Sequence, residues 1–212
     1  MKRILLYLFD PLCGWCYGAA PAVTKLVESD DVVVELLPTG LFSSDGARPM
    51  DDEFAAYAWA NDRRIERLTG QRFSERYREQ ILGDRRRPVD SGPATLMLTA
   101  VSLTEPTREL EALKAIQLAR FVEGRDVTSL ETLAEVLRAN GLASSGDRLE
   151  HAPSQVLEGA LACVERARKL MREIAVLGVP AFIAEDTAGR RLLHASTVFG
   201  DPQTLTEQMA TA

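Results

Sequence analysis

The sequence predicts an α/β fold interrupted by an all-helical insertion. Near the N-terminus two β-rich apolar runs, residues 4–9 and 31–37, flank a helical stretch, the order of a right-handed βαβ unit. Near the C-terminus two short runs, 181–184 and 191–194, flank a turn at 186–189, the pattern of a hairpin. Between them, from 51 to about 150, only helical periodicities appear. The expected division therefore puts residues 1–50 and 151–212 in the α/β domain and 51–150 in a helical insertion that covers its site-bearing face.

Each element has a local cause. Residues 4–9 are uninterruptedly apolar, as a strand buried on both faces would be. A helix is expected from Gly14 to Glu28, and a β-branched strand over 31–37 stopped by Pro38. Residues 39–49, holding Gly40, Gly46 and Pro49, read as a loop leaving the sheet. Helices are expected over 51–68 and 74–82, joined near Gly70. Pro88 to Pro93 breaks the run, and Pro93 suits a first helical turn. Ala94, Met97, Leu98 and Val101 then recur at i, i+3, i+4, i+7. Another helix is expected over 108–122. Thr128 and Glu131 form a capping-box pattern before Leu130, Leu133, Ala134 and Leu137, and Asn140-Gly141 ends that helix. A long helix over 154–177 follows, and Asp201-Pro202 opens the last one.

The 212 residues carry 46% hydrophobic and 26% charged side chains, the balance of a globular chain long enough to bury a good core. A net charge of −6 argues against nucleic acid as partner. Three cysteines are too few for a disulfide scaffold. No apolar run approaches the length of a membrane span, so no membrane partner is expected. Met1-Lys2-Arg3 and the apolar run after it mimic a signal peptide, but the run is short and lacks a small-residue cleavage site. The expected location is the cytoplasm.

Cys13-Gly14-Trp15-Cys16 joins the first strand to the first helix. That order places Cys13 at a helix N-terminus, where free backbone N–H groups and the helix dipole favour a thiolate, the better nucleophile. Cys16 lies one turn on, on the same face, within reach of a disulfide. A ring that small stabilises a fold little and opens easily, which points to redox chemistry. A closed zinc site would need two further ligands, and Cys163, His151 and His194 stand far along the chain with no paired spacing.

Pro21 stands eight positions after Cys13, and this C-G-W-C-x-x-x-x-P segment resembles the thioredoxin active-site helix, kinked at that proline. Gly178-Val179-Pro180-Ala181-Phe182 resembles the cis-proline segment of the same superfamily. The valine before the proline, and the helical sequence separating the two motifs, are similar to the DsbA branch. Asp10-Pro11-Leu12-Cys13 and residues 121–127 resemble the cytoplasmic DsbA-family oxidoreductases near FrnE. The resemblance spans nearly the whole chain.

It implies a thioredoxin-like fold and a thiol–disulfide oxidoreductase or isomerase acting on thiol- or disulfide-containing proteins. Cys13 would attack, Cys16 would resolve, and Trp15, Val179 and cis-Pro180 would hold the substrate, with Gly14, Pro21 and Asp10 in support. No bound cofactor or metal is implied; glutathione or a partner dithiol would supply electrons. Two readings stand beside it: a glutathione-dependent isomerase or transferase of the kappa-class or hydroxychromene carboxylate isomerase type, and a chaperone-like polypeptide-binding module. The intact C-x-x-C argues against the first, which usually presents a single Ser or Cys.

One departure matters. Thioredoxins and DsbA carry a buried acid six residues before the first cysteine, where this chain has Tyr7. Asp10 is nearer but reads as a loop residue. Cys163 shares a stripe with Val156, Ala160, Ala167, Leu170 and Ile174 and reads as a small core residue, as Phe54 and Trp59 do. The arginines between 63 and 87 alternate with acids and read as solvated helix faces, with an anion site for a carboxylate-bearing thiol such as glutathione as the alternative.

Overall fold

The structure, a computed structural model, describes residues 3–29, 31–187 and 189–211. Met1, Lys2 and Ala188, the last within the expected hairpin turn, lie outside the described residues.

Strand β1 (Arg3–Phe9) runs through Cys13 into helix α1 (Gly14–Val27), which returns to β2 (Val32–Pro38). A loop with a short 3-10 turn leads to β3 (Arg48–Pro49) and α2 (Asp52–Thr69). Then come α3 (Glu75–Tyr77), continued by a π-helical turn over Arg78–Leu82, β4 (Pro88–Val89) and α4 (Gly92–Thr104). Helices α5 (Glu109–Phe121), α6 (Leu130–Ala139), α7 (Ala143–His151) and α8 (Pro153–Glu173) follow. The chain closes with β5 (Ala181–Asp186), β6 (Gly189–Leu192), α9 (Ala195–Val198) and α10 (Gln203–Ala210).

The main sheet has the order β2-β1-β5-β6, with β1 parallel to β2 and the other pairs antiparallel. Central strand β1 is buried on both faces, and its alternation sorts the core. Leu5, Tyr7 and Phe9 pack with Cys16, Ala19, Val23 and Leu26 of α1 in the larger core. Leu6 and Leu8 point the other way, onto Ala167 and Leu170 of α8. Each such leucine contributes on the order of 2 kcal/mol on burial. The end of β1 is thereby fixed, and with it the take-off of the Cys13 loop.

Several expectations are corrected. Pro38 does not stop β2 but forms its last residue, opposite Phe9, on an edge strand that needs no outward N–H there. Residues 48–49 and 88–89, expected as loop and break, pair as a two-residue ladder. Helix α6 is capped by Ser129, whose Oγ accepts from the Thr132 N–H, while Thr128 bonds Asp126 instead. Helix α8 ends at Glu173 rather than 177, because Ala175 turns left-handed (φ 57°) and the Val176 N–H bonds the Met171 carbonyl. That early stop frees residues 174–180 to cross toward Cys13. In the hairpin, His194 lies beyond β6 and caps α9.

Candidate active site

Cys13 is the N-cap of α1, in extended conformation. Its Sγ accepts the Cys16 backbone N–H at 3.4 Å and lies 3.7 Å from the Val179 carbonyl oxygen, to which the thiol can donate. The Val179–Pro180 bond is cis, as the resemblance implies. Both thiols are free. Cys13 is only 7% exposed, contrary to the open thiol that a loop-to-helix junction suggests, with the Val179 carbonyl lying against its sulfur. Cys16 is fully buried behind it. Burial, and then the contact with Cys13, push the Cys16 thiol well above its usual range. Trp15 is half-buried, its ring edge-on to Phe199 at 4.8 Å, with the Arg64 guanidinium 5.7 Å from the ring centre. Pro21 lies inside α1, past the site.

Beneath the dithiol sit Tyr7 and Asp10. The Tyr7 hydroxyl donates to the Cys16 carbonyl at 3.2 Å, and burial raises it well above the ordinary phenol range. Asp10 is no open loop acid: it is wholly buried. Its Oδ1 accepts from the Leu12 N–H at 2.9 Å, and its Oδ2 accepts from the Phe42 N–H at 3.1 Å and the Ser91 hydroxyl at 2.7 Å. Burial raises its carboxyl nonetheless, against those three bonds. On the Cys16 thiol, a hydrogen bond to the Asp10 backbone lowers and the Asp10 charge raises, both lesser effects than burial. A buried acid thus stands beneath this dithiol, three positions before Cys13 rather than six.

Cys13 opens on a cavity of about 260 Å³ roofed by α2 and walled by Trp15, Phe42, Phe54 and Val179. Asp62, Tyr77 and Arg120 line it too, and sequence reasoning missed all three. Asp62 is buried, and the Tyr77 hydroxyl donates to its Oδ2 at 3.0 Å. Its Oδ1 abuts Gly14 so closely that a Cβ there would collide with it, which explains a glycine between the cysteines. Burial lifts the Asp62 carboxyl to about 7, with the Tyr77 bond and the Arg120 charge opposing. One signal was available: Asp62 shares a helical face with Ala55 and Ile65, the buried stripe of α2.

Other candidates fall away from the site. Cys163 is half-buried against the core on the α8 side of the sheet, and burial lifts its thiol to about 11. His151 and His194 are exposed. Phe54 and Trp59 are half-buried and packed against the core rather than within it, Trp59 with the Arg63 and Arg78 guanidinium groups over its ring. In the basic segment Arg63, Arg78, Arg85, Arg86 and Arg87 pair with Glu66, Glu75, Asp52, Asp84 and Asp126, as solvated faces do, while Arg64 reaches Trp15. Among the described residues no cluster of His, Cys, Asp and Glu could hold a metal ion, and no helix is long and apolar enough to cross a membrane.

Residues 4–209 match the DSBA-like thioredoxin domain. Among solved structures, the chain is similar to the cytosolic disulfide reductase DsbM from Pseudomonas aeruginosa, at 30% identity and a TM-score of 0.84, covering 99% of this chain and 100% of that one. DsbM with GSH matches at 29% identity and a TM-score of 0.83, covering 98% of each chain. A Nitrosomonas europaea protein shares the fold at 24% identity and a TM-score of 0.77, over 97% of this chain and 99% of that one. No curated protein matches the sequence.

Proposed function

Because the chain belongs to the family of DSBA-like thioredoxin domains, it is a thiol–disulfide oxidoreductase, and we propose that Cys13 and Cys16 are its reacting pair. One observation carries this reading: the Cys13 sulfur, at the N-cap of α1, faces both the Cys16 N–H and the Val179 carbonyl. The Cys13 thiolate attacks one sulfur of a substrate disulfide, whose other sulfur departs as a thiolate. Cys16 then attacks the Cys13 sulfur of the mixed disulfide and releases the second thiol. The pair gives up two electrons and closes into a disulfide. Trp15 and the Val179–Pro180 segment flank the bound substrate, Gly14 lets Asp62 approach, and Pro21 shapes the helix that presents Cys13. Asp10, beneath the dithiol, takes the Cys16 proton when the mixed disulfide resolves.

In this reading the protein works in the cytoplasm as a reductase or isomerase of protein disulfides, and two glutathione molecules restore the dithiol as glutathione disulfide forms. The likeness to DsbM with GSH supports the electron source, and so does Arg64 over Trp15, a cation at the rim for a carboxylate-bearing thiol. The same reading assigns residues 1–50 and 151–212 to the domain that carries the dithiol and 51–150 to the helical domain over it. The test is insulin reduction with glutathione as the reductant. The intact chain accelerates it and Cys13→Ser does not; acceleration by Cys13→Ser would refute the assignment. Conjugation of a model electrophile with glutathione, without disulfide reduction, would favour the transferase reading. Suppressed aggregation without turnover would favour the polypeptide-binding one.

A further inference from the structure

The cavity beside Cys13 holds an acid for which the exchange steps above have no use. Asp62 is 4% exposed and Arg120 is 4% exposed, yet both line the same cavity as the nucleophilic sulfur. A carboxylate in so dry a place is costly unless paired. Its pairing is partial: Tyr77 donates to Oδ2, Arg120 lies near enough to stabilise the charge, and Oδ1 rests against Gly14 beside Cys13. The groups that act on it are Tyr77 from α3 and Arg120 from α5, while Cys13 at the start of α1 lines the same cavity. Arg63 and Glu66 on its own helix pair with each other at the surface. Asp10 bears on it only through Arg120, whose charge acts on both acids.

The cavity of about 260 Å³ admits a small compound, not a folded client. Resting on the assignment of Cys13 as nucleophile, we infer that Asp62 is the acid that protonates the thiolate displaced when Cys13 opens a small aliphatic disulfide seated in this cavity. The Cys13 thiolate forms a bond to the nearer sulfur and the substrate S–S bond breaks. The departing sulfur takes the electron pair and the Asp62 proton and leaves as a thiol. Asp62 remains as the carboxylate, held by Tyr77 and Arg120, until water returns the proton. The proton lost to water when Cys13 ionised balances that return, and no further reductant is needed for the step.

An acid that merely neutralises Arg120 would affect every disulfide alike. An acid that serves the leaving group matters only where that group is a poor one. In a Cys16→Ser background, which limits reaction to the first step, two rates are measured: mixed-disulfide formation with glutathione disulfide, an alkyl thiolate leaving group, and with bis(nitrobenzoate) disulfide, a stabilised aromatic one. Their ratio cancels the ionisation of Cys13. The ratio is expected to fall about tenfold as pH rises through about 7, within what a positioned acid supplies. In Asp62→Asn it is low and flat. Tyr77→Phe keeps the acid but removes the bond that favours its charged form, so the fall moves to higher pH. If Asp62→Asn does not fold, Tyr77→Phe decides alone. A ratio that still falls through about 7 in Asp62→Asn, equal slowing of both disulfides, or an unmoved transition in Tyr77→Phe would each overturn the inference. Reaction with neither disulfide in the parent would instead overturn the assignment of Cys13.

Discussion

The Cys13 sulfur lies 3.7 Å from the Val179 carbonyl oxygen, across 166 positions of sequence. Two segments that each look ordinary alone, a loop-to-helix junction and an extended Val-Pro, meet there. The first consequence concerns accessibility. Cys16 is fully buried and its thiol raised, while Cys13 borders the cavity. Alkylation of the reduced protein by a small reagent at mildly acidic pH should therefore modify Cys13 before Cys16 or Cys163. Peptide mapping reads the order, and Cys16 first would reverse the two roles.

Removing the second cysteine should separate attack from release. Cys16→Ser leaves Cys13 with its helix terminus but without a resolving thiol, so mixed disulfides with clients and glutathione should accumulate. Multiple-turnover insulin reduction should drop at least about tenfold. Non-reducing electrophoresis and intact mass measure both. Full turnover without trapped adducts would mean that glutathione alone resolves the intermediate.

Asp10 ties the dithiol loop to two distant segments. Its carboxylate accepts from Leu12, Phe42 and Ser91, all in buried or half-buried surroundings. Asp10→Ala strands three donors, each worth about 1–3 kcal/mol when buried and unpaired. A net loss of about 2–4 kcal/mol follows, and a thermal midpoint lower by roughly 5–10 °C. Calorimetry tests it; a loss under about 1 kcal/mol would mean that water replaces the carboxylate at little cost.

Glu109 gives a pH signature unconnected with the site. Burial, and then the Glu35 charge, raise its carboxyl to about 7, while Ser102 lowers it. An acid raised on folding is penalised where the unfolded chain has already released the proton. The penalty is absent well below the ordinary glutamate range, grows as pH climbs toward 7, and is complete above it. Glu109→Gln should thus stabilise the protein at pH 8 by about 1–2 kcal/mol, discounted for partial exposure, and not at all near pH 3. Equal effects at both pH values would point to packing instead.

Much of this was legible in the chain. The unbroken apolar run of β1, the β-branched β2 and the Cys13-Gly14-Trp15-Cys16 junction are local signals, and local physics settles them. The hidden parts are non-local. Asp62 stands among arginines, so its neighbourhood reads as solvated, although Ala55 and Ile65 share its face. The burial of Asp10 depends on Ser91, 81 positions away. The burial of Cys13 depends on α8 ending early at a left-handed Ala175, which no glycine announces. Helix α7 buries only Ser145, so it carries no apolar period to read.

Cys13 and Cys16 should interconvert as a dithiol and disulfide in a glutathione-poised buffer. Neither residue between them is a cation, and burial opposes a thiolate at Cys16. Such a pair should lie well below the strongly oxidising DsbA, at roughly −250 to −180 mV. Equilibration in glutathione buffers, followed by acid trapping and mass analysis of the two thiols, should give one two-electron transition in that range with Cys163 unchanged. No interconversion would mean that these cysteines are not the reacting pair, and a midpoint near the roughly −120 mV of DsbA would make the protein an oxidant rather than a reductase.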